Sequence, residues 1–118
     1  MESKRRALVA DDDRDLRDAI ASILEVSGYS VDQAWSGNEA VRMIATGEYV
    51  VVFTDNSMPD GDGFVVIAEC RKRGIPVFMI SDGYGSPDLV DRATKAGVRA
   101  FLNKPVDADE LLREASTV

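Results

Sequence analysis

The chain has no histidine and a single cysteine among its 118 residues. Without histidine it cannot be a histidine kinase, a histidine phosphotransfer domain, a Ser-His-Asp hydrolase or a histidine-ligated zinc enzyme. With only Cys70 it cannot form an internal disulfide. We interpret Cys70 as a small buried hydrophobe, because it shares a helical apolar pattern with Val66 and Ile67. Any chemistry must therefore use carboxylates, hydroxyls, lysine and a hard metal.

Long apolar runs are also missing. No stretch approaches the roughly 20 apolar residues of a membrane span, and the apolar run after the basic first residues is too short for a signal peptide. The net charge of −7 argues against non-specific binding to nucleic acid or to anionic membranes. We therefore expect one cytoplasmic domain over residues 1–118 that binds neither nucleic acid nor membrane.

What the chain does contain is a regular alternation of five strand patterns with five helix patterns. The predicted strands are Ala7 to Ala10, Tyr29 to Ala34, Val50 to Thr54, Pro76 to Ser81 and the segment before Lys104. This alternation predicts a parallel α/β sheet with helices on both faces. The last helix is marked by Leu111 and Ala115 and is short, so we expect the chain to be part of a longer protein.

Polar residues stand where four of these strands end. The pair Asp11-Asp12 follows the first strand, Asp55 the third, Ser81 closes the fourth and Lys104 follows the fifth. The carboxyl ends of parallel strands lie on one edge of the sheet, so we expect these side chains to converge. Carboxylates about 5 Å apart repel by roughly 3 kcal/mol per pair at an effective dielectric near 20. Such a cluster usually holds a cation, and a hard divalent metal fits it.

Each of these features has an ordinary explanation when taken alone. The acid pair could simply complement a helix dipole, Asp55 could cap a loop, and Lys104 could be a solvated lysine before a rigid proline. Pro105 could also place the preceding peptide bond in the cis form, aiming the ammonium inward. It is much less probable that all of these ordinary explanations hold at once than that the residues form one shared site.

In this order and spacing, the residues resemble a response-regulator receiver domain, the phosphoaccepting module of two-component signalling. The resemblance covers essentially the whole chain. The matching residues are Asp11-Asp12, the segment 55–63, Ser81 and Lys104-Pro105. It implies a flavodoxin-like, doubly wound fold with strand order 2-1-3-4-5. It also implies a histidine kinase or histidine phosphotransfer protein as phosphodonor, and a downstream effector protein or fused output domain as the target.

The resemblance assigns the chemistry of the site. Asp55 would accept the phosphoryl group. Mg²⁺ would be bound directly by Asp12, Asp55 and the backbone carbonyl of Ser57, and through water by Asp11. Lys104 would pair with the phosphoryl group. The domain would then be a signalling module with only self-catalysed phosphoryl transfer and hydrolysis.

The resemblance also implies a switch, in which Ser81 hydrogen-bonds the phosphoryl group and Phe101 rotates inward. Two positions depart from the family pattern. Asp82 stands where a small uncharged residue is usual, and Val50 stands where an acidic residue is frequent. Asp82 could slow phosphorylation by repulsion, or it could point to water without effect.

Three other interpretations are weighed against this one. A haloacid-dehalogenase-like phosphatase requires an aspartate two residues after its nucleophile and a hydroxyl two residues further on. After Asp55 these positions hold Ser57 and Pro59, so the motif is absent there. A calcium loop that starts at Asp55 would place Pro59 at a ligand position. The remaining alternative is a binding module with the receiver fold that never accepts phosphate, and Asp82 is its only support.

Overall fold

The computed structural model describes residues 5–82 and 86–118. The strands are β1 (Arg5–Ala10), β2 (Tyr29–Ala34), β3 (Val51–Asp55), β4 (Val77–Ser81) and β5 (Ala100–Asn103). The helices are α1 (Arg14–Val26), α2 (Gly37–Thr46), α3 (Gly63–Arg73), α4 (Pro87–Ala96) and α5 (Ala108–Ala115). The predicted alternation is confirmed. The first basic residues, 1–4, and the middle of the predicted loop before α4, residues 83–85, lie outside the described residues.

The five strands form one parallel sheet in the order β2-β1-β3-β4-β5. The expected flavodoxin-like fold and its strand order are therefore confirmed. The chain runs outward from β1 to β2 and then returns to the other side of β1 as β3. This reversal creates a crevice at the carboxyl ends of β1 and β3, which is where open α/β sheets bind their ligands.

Residues of the central strands alternate between two apolar clusters, one on each face of the sheet. Leu8 and Val52 pack with residues of α2, α3 and α4, whereas Val9 and Phe53 pack with residues of α1 and α5. On the second face the rings of Phe53 and Phe78 stack with centroids 5.1 Å apart. Because helices cover both faces of the sheet, the central strands are accessible to a ligand at their ends rather than on their faces.

Side-chain caps fix where the helices begin at the carboxyl edge of the sheet. The capping residues are Asp13 for α1, Ser36 for α2, Asp62 for α3 and Asp107 for α5, each accepting a bond from a backbone N–H of its helix. A side-chain cap satisfies backbone donors that the first helical turn leaves unpaired. The loops that follow β1, β2, β3 and β5 are therefore held where their helices begin, whereas Ser86 at the start of α4 makes no side-chain cap bond among the described residues.

Cys70 lies fully buried on α3, as the sequence predicts. Burial raises the pKa of its thiol to about 12, so it stays protonated at neutral pH. Among the described helices, none combines the length and the apolar composition that crossing a bilayer would require.

Candidate functional site

The polar residues predicted from the strand ends meet in one place. The Nζ of Lys104 lies 3.3 Å from Asp11 Oδ2 and 3.3 Å from Asp55 Oδ1. Carboxylate oxygens of Asp11, Asp12 and Asp55 all lie within 4.8 Å of one another. Asp11 and Asp55 are buried, at 1% and 7% exposure, and Asp12 is exposed. The cluster is thus a recessed acidic site that opens to solvent at Asp12.

Backbone groups orient the two buried carboxylates. The N–H of Asn56 donates to Asp55 Oδ1 at 2.8 Å, and the N–H of Asp13 donates to Asp11 Oδ1 at 2.9 Å. Arg17 reaches back from α1 and donates from Nη1 to the carbonyl oxygen of Asp11 at 2.9 Å. These bonds fix the positions of the carboxylates before any ligand binds.

Burial and like charge work against ionisation at this site. Burial raises the pKa of Asp55, and the neighbouring Asp11 carboxylate raises it further, outweighing the opposing effect of Lys104. Burial alone would lower the pKa of Lys104, but the Asp55 and Asp11 carboxylates outweigh it, so that pKa is raised. The ammonium therefore stays charged at neutral pH, and the carboxylates still lack enough positive charge for neutrality.

Ser81 lies on β4, next to β3, and Phe101 lies on β5, the edge strand beyond β4. Ser81 is buried at the end of β4, and its carbonyl oxygen accepts the N–H of Lys104 at 3.0 Å. Phe101 is half-buried on β5, directly opposite Met79 of β4. The Lys104-Pro105 peptide bond is cis. Ser81 and Lys104 are thus brought together at the carboxyl ends of β4 and β5, and Phe101 lies on β5 three residues before Lys104.

The loop after Asp55 is tied down on two sides. The N–H of Gly63 donates to the carbonyl of Asn56 at 2.8 Å, and the N–H of Gly37 donates to the carbonyl of Gly61 at 2.8 Å. A Cβ on Gly63 would lie 2.2 Å from the carbonyl oxygen of Asp55, which only glycine avoids. Ser57 is an exposed residue of this loop, two positions after Asp55.

The residues present suit a hard divalent cation. The three carboxylates offer only oxygen ligands, which Mg²⁺ and Ca²⁺ prefer, and their spacing allows one ion to contact all three. The site has an open side at Asp12, where an ion can enter with part of its water shell. Asp82 is exposed at the neighbouring strand end.

Sequence analysis did not identify a cleft next to the acidic cluster. The cleft has a volume of about 350 Å³ and is lined by Asp12, Trp35, Ser36, Pro59 and Asp60. The available signal was position, because Trp35 directly follows the last residue of β2 at the same edge of the sheet. Hydrophobic periodicity places an aromatic residue there in the core, yet the side chain is largely exposed.

Comparison with known proteins identifies the family of the chain. Residues 7–116 match the family described as the response regulator receiver domain. The transcriptional regulatory protein PdtaR of Mycobacterium tuberculosis is 33% identical over 109 residues, which are 92% of this chain and 53% of that protein. GlrR of Escherichia coli is 39% identical over 106 residues, 88% of this chain and 24% of that protein. The chain spans about half or less of the length of these relatives.

Solved structures give the same answer. The CheY-like response regulator receiver domain protein from Methanospirillum hungatei is 29% identical, with a TM-score of 0.89 over 98% of this chain and 93% of that one. The receiver domain of NtrX from Brucella abortus is 31% identical, with a TM-score of 0.85 over 94% of this chain and 95% of that one. Sequence and fold therefore agree, and the chain belongs to the response regulator receiver domain family of two-component systems.

Proposed function

We propose that this domain accepts a phosphoryl group on Asp55 from the phosphohistidine of a histidine kinase or a histidine phosphotransfer protein. The observation that carries the proposal is the position of Lys104, whose Nζ lies 3.3 Å from both Asp55 and Asp11 within the three-carboxylate cluster. An ammonium group and a metal-binding acid cluster around one buried carboxylate are what attack on a phosphoryl group requires.

In the transfer, a carboxylate oxygen of Asp55 forms a bond to phosphorus while the bond from phosphorus to the donor imidazole nitrogen breaks. The bonding electron pair goes to that nitrogen, which takes a proton from solvent water as the imidazole leaves. The N–H of Asn56 and the ammonium of Lys104 hold the attacking carboxylate in place. Lys104 then pairs with the phosphoryl oxygens, because its side chain is the one cation near Asp55 among the described residues.

Asp12, Asp55 and the backbone carbonyl of Ser57 would bind Mg²⁺ directly, and Asp11 would bind it through water. When bound, the ion supplies positive charge that offsets the equatorial oxygens of the transferring group. Three aspartates contribute −3 and Lys104 contributes +1, so a divalent ion brings the site to neutrality. A neutral site tolerates an incoming phosphoryl group that a bare acidic cluster would repel.

Phosphorylation would change the surface formed by α4, β5 and α5. Ser81 would move to hydrogen-bond the phosphoryl group, and Phe101 would turn into the space that it leaves. Phe101 has no hydroxyl, so burying its ring leaves no polar group unpaired. The altered surface would act on a downstream effector protein or on a fused output domain. Relatives named as transcriptional regulatory proteins favour a regulatory output and a cytoplasmic location.

The proposal is tested by incubating the chain with acetyl phosphate and Mg²⁺ and measuring its mass. The wild type gains one phosphoryl group, Asp55→Asn gains none, and Lys104→Ala is labelled far more slowly. Asp91→Asn is a matched control, since Asp91 is an exposed aspartate on α4 that pairs with Lys95. Labelling of Asp55→Asn at the wild-type rate would exclude Asp55 as the acceptor, and an unlabelled wild type would favour a non-phosphorylated binding module.

A further inference from the structure

The cleft beside the acidic cluster presents an exposed indole. Trp35 is the sole tryptophan of the chain, and its side chain is 63% exposed at the end of β2. Pro59, also exposed, lines the same cleft. Large exposed aromatic residues are uncommon on monomeric proteins and are enriched where partners bind. The apolar wall therefore lies next to the site where phosphoryl transfer takes place.

Local structure does not account for the indole. The β2–α2 turn is fixed by a capping box, in which Glu39 donates its N–H to Ser36 Oγ at 3.1 Å and Glu39 Oε1 accepts the N–H of Trp35 at 3.0 Å. Neither bond uses the indole, so both would survive truncation of Trp35. A hydrophobic staple would bury Trp35 against Ala40, yet the indole remains mostly in solvent.

The charge of the cleft selects the kind of group that fits it. Its lining includes Asp12 and Asp60 and has no lysine or arginine among the described residues. Asp60 is held in place, because its carbonyl accepts the N–H of Asn38 at 2.9 Å and its Oδ1 accepts Asn38 Nδ2 at 2.9 Å. An aromatic face beside the fixed Asp60 carboxylate attracts a guanidinium or ammonium group, through both the ring quadrupole and the charge.

We propose that Trp35, Pro59 and Asp60 form a docking site for an arginine or lysine side chain on the protein that delivers the phosphoryl group. The proposal rests on the proposed function of Asp55. Asp12 belongs to both the acidic cluster and the cleft, so a protein that brings its phosphohistidine to Asp55 must cover the cleft as well. A cationic side chain there contributes affinity and orients the donor without touching the reacting atoms.

The first experiment uses N-acetyl-arginine amide as the probe, with ¹H–¹⁵N NMR of the full chain. We expect saturable shifts at the indole N–H of Trp35 and the amides of Ser36 and Asp60, and a much weaker response to the uncharged citrulline analogue. Trp35→Ala should remove saturation, and Val26→Ala should keep it, since Val26 is an exposed apolar residue on α1 outside the cleft. Equal responses to arginine and citrulline, or saturation that survives Trp35→Ala, would overturn the proposal.

The second experiment compares two phosphodonors. For a histidine kinase that phosphorylates the wild-type chain in vitro, Trp35→Ala should lower kcat/KM for transfer at least about tenfold, as truncation of an interface hot spot does. Labelling by acetyl phosphate should change less than about twofold, because it needs no docking surface. If acetyl phosphate labels the wild type and the kinase transfers equally fast to both chains, docking at Trp35 is excluded while phosphorylation of Asp55 stands. If neither donor labels the wild type, the proposed function itself fails.

Discussion

The surroundings of Asp55 make its ionised form energetically unfavourable. Its side chain is buried, Asp11 lies beside it, and Lys104 is shared between the two. Burial first, and then the Asp11 charge, raise its pKa above the ordinary value of 3.8. A carboxyl group whose pKa is raised on folding stabilises the fold only at pH values below its unfolded pKa. That contribution is lost as the pH rises through the folded pKa. At neutral pH the ionised Asp55 therefore opposes folding.

Replacing Asp55 by asparagine should consequently stabilise the metal-free domain at pH 7. The gain in the free energy of unfolding should disappear as the pH falls below about 3.8, where the wild-type carboxyl is protonated as well. Urea denaturation with a chelator at a series of pH values measures the difference. Asp91→Asn should show no such pH-dependent gain. A less stable Asp55→Asn at pH 7 would mean that the ion pair with Lys104 outweighs the burial of the charge.

At this scale the sequence predicts which side chains converge, because strand ends are easy to locate. Asp55 and Lys104 each follow an apolar run, and parallel strands bring such positions together whatever their distance in sequence. Trp35 occupies an equivalent position but was not identified as a site residue. The sequence does not indicate whether an aromatic side chain at this position is exposed. Its exposure depends on how closely α2 and the loop after β3 approach it.

At the scale of elements, one polar network joins β1, β2 and the residue that leads towards β3. Arg6 pairs with Asp32 across the β1–β2 boundary, and Tyr49 donates its hydroxyl to Asp32 Oδ2 at 2.7 Å. The guanidinium of Arg6 also lies 5.0 Å from the ring centroid of Tyr49. Burial, and then the bond to Asp32, raise the pKa of Tyr49 to about 12, so the hydroxyl remains a donor over the physiological range.

Tyr49→Phe should therefore destabilise the domain by about 1 to 2 kcal/mol at pH 7, the range for a hydrogen bond to a charged group that is partly open to solvent. The loss should shrink at low pH. Burial alone would raise the pKa of Asp32, but the Tyr49 and Arg6 hydrogen bonds outweigh it and lower that pKa. The stabilisation that the ionised Asp32 provides is therefore complete at pH values above its ordinary pKa of 3.8. It is lost as the pH falls through the lowered pKa of the folded state.

Thermal and urea unfolding of Tyr49→Phe and Tyr29→Phe measure this effect against a matched control. The hydroxyl of Tyr29 makes only a long bond of 3.4 Å to the neutral carbonyl of Ala115, so its removal should cost less. Equal losses in the two variants would show that the charge of Asp32 adds nothing to the bond.

Element boundaries were less predictable than element types. Sequence analysis begins β1 at Ala7, the first apolar residue, whereas the strand begins at Arg5 because Arg5 and Arg6 pair with Tyr29 and Ser30 of β2. Edge pairing depends on the neighbouring strand rather than on the polarity of the residue itself. The third strand likewise ends at Asp55, one residue later than its apolar run.

For the whole molecule, the acidic site sets how stability responds to metal. The chain carries a net charge of −7, and three of its carboxylates crowd together at one edge of the sheet. A cation that binds the folded state but not the unfolded chain must stabilise the fold by mass action.

Strand order could not be predicted from alternation alone, since other orders share the same sequence pattern. It came from the family resemblance, and it fixes which strand ends surround the acidic cluster.

Mg²⁺ at about 100 times its dissociation constant should stabilise the wild-type domain by roughly 2.7 kcal/mol. Asp12→Ala should lose the effect, because Asp12 provides the open side of the cluster. Differential scanning calorimetry with and without Mg²⁺ measures the change, and Asp91→Ala should retain it. A wild-type melting temperature that does not respond to Mg²⁺ would contradict the metal assignment.

The exposed Trp35 also makes the chain its own optical reporter. As the sole tryptophan, it gives an emission that comes from one position, and that position shares the cleft with Asp12. An ion bound at Asp12 changes the electric field across the excited indole, so its emission intensity should change as Mg²⁺ is added. The same titration of Asp12→Ala should give a flat signal. Metal occupancy next to Asp55 could then be followed in real time without attaching a dye.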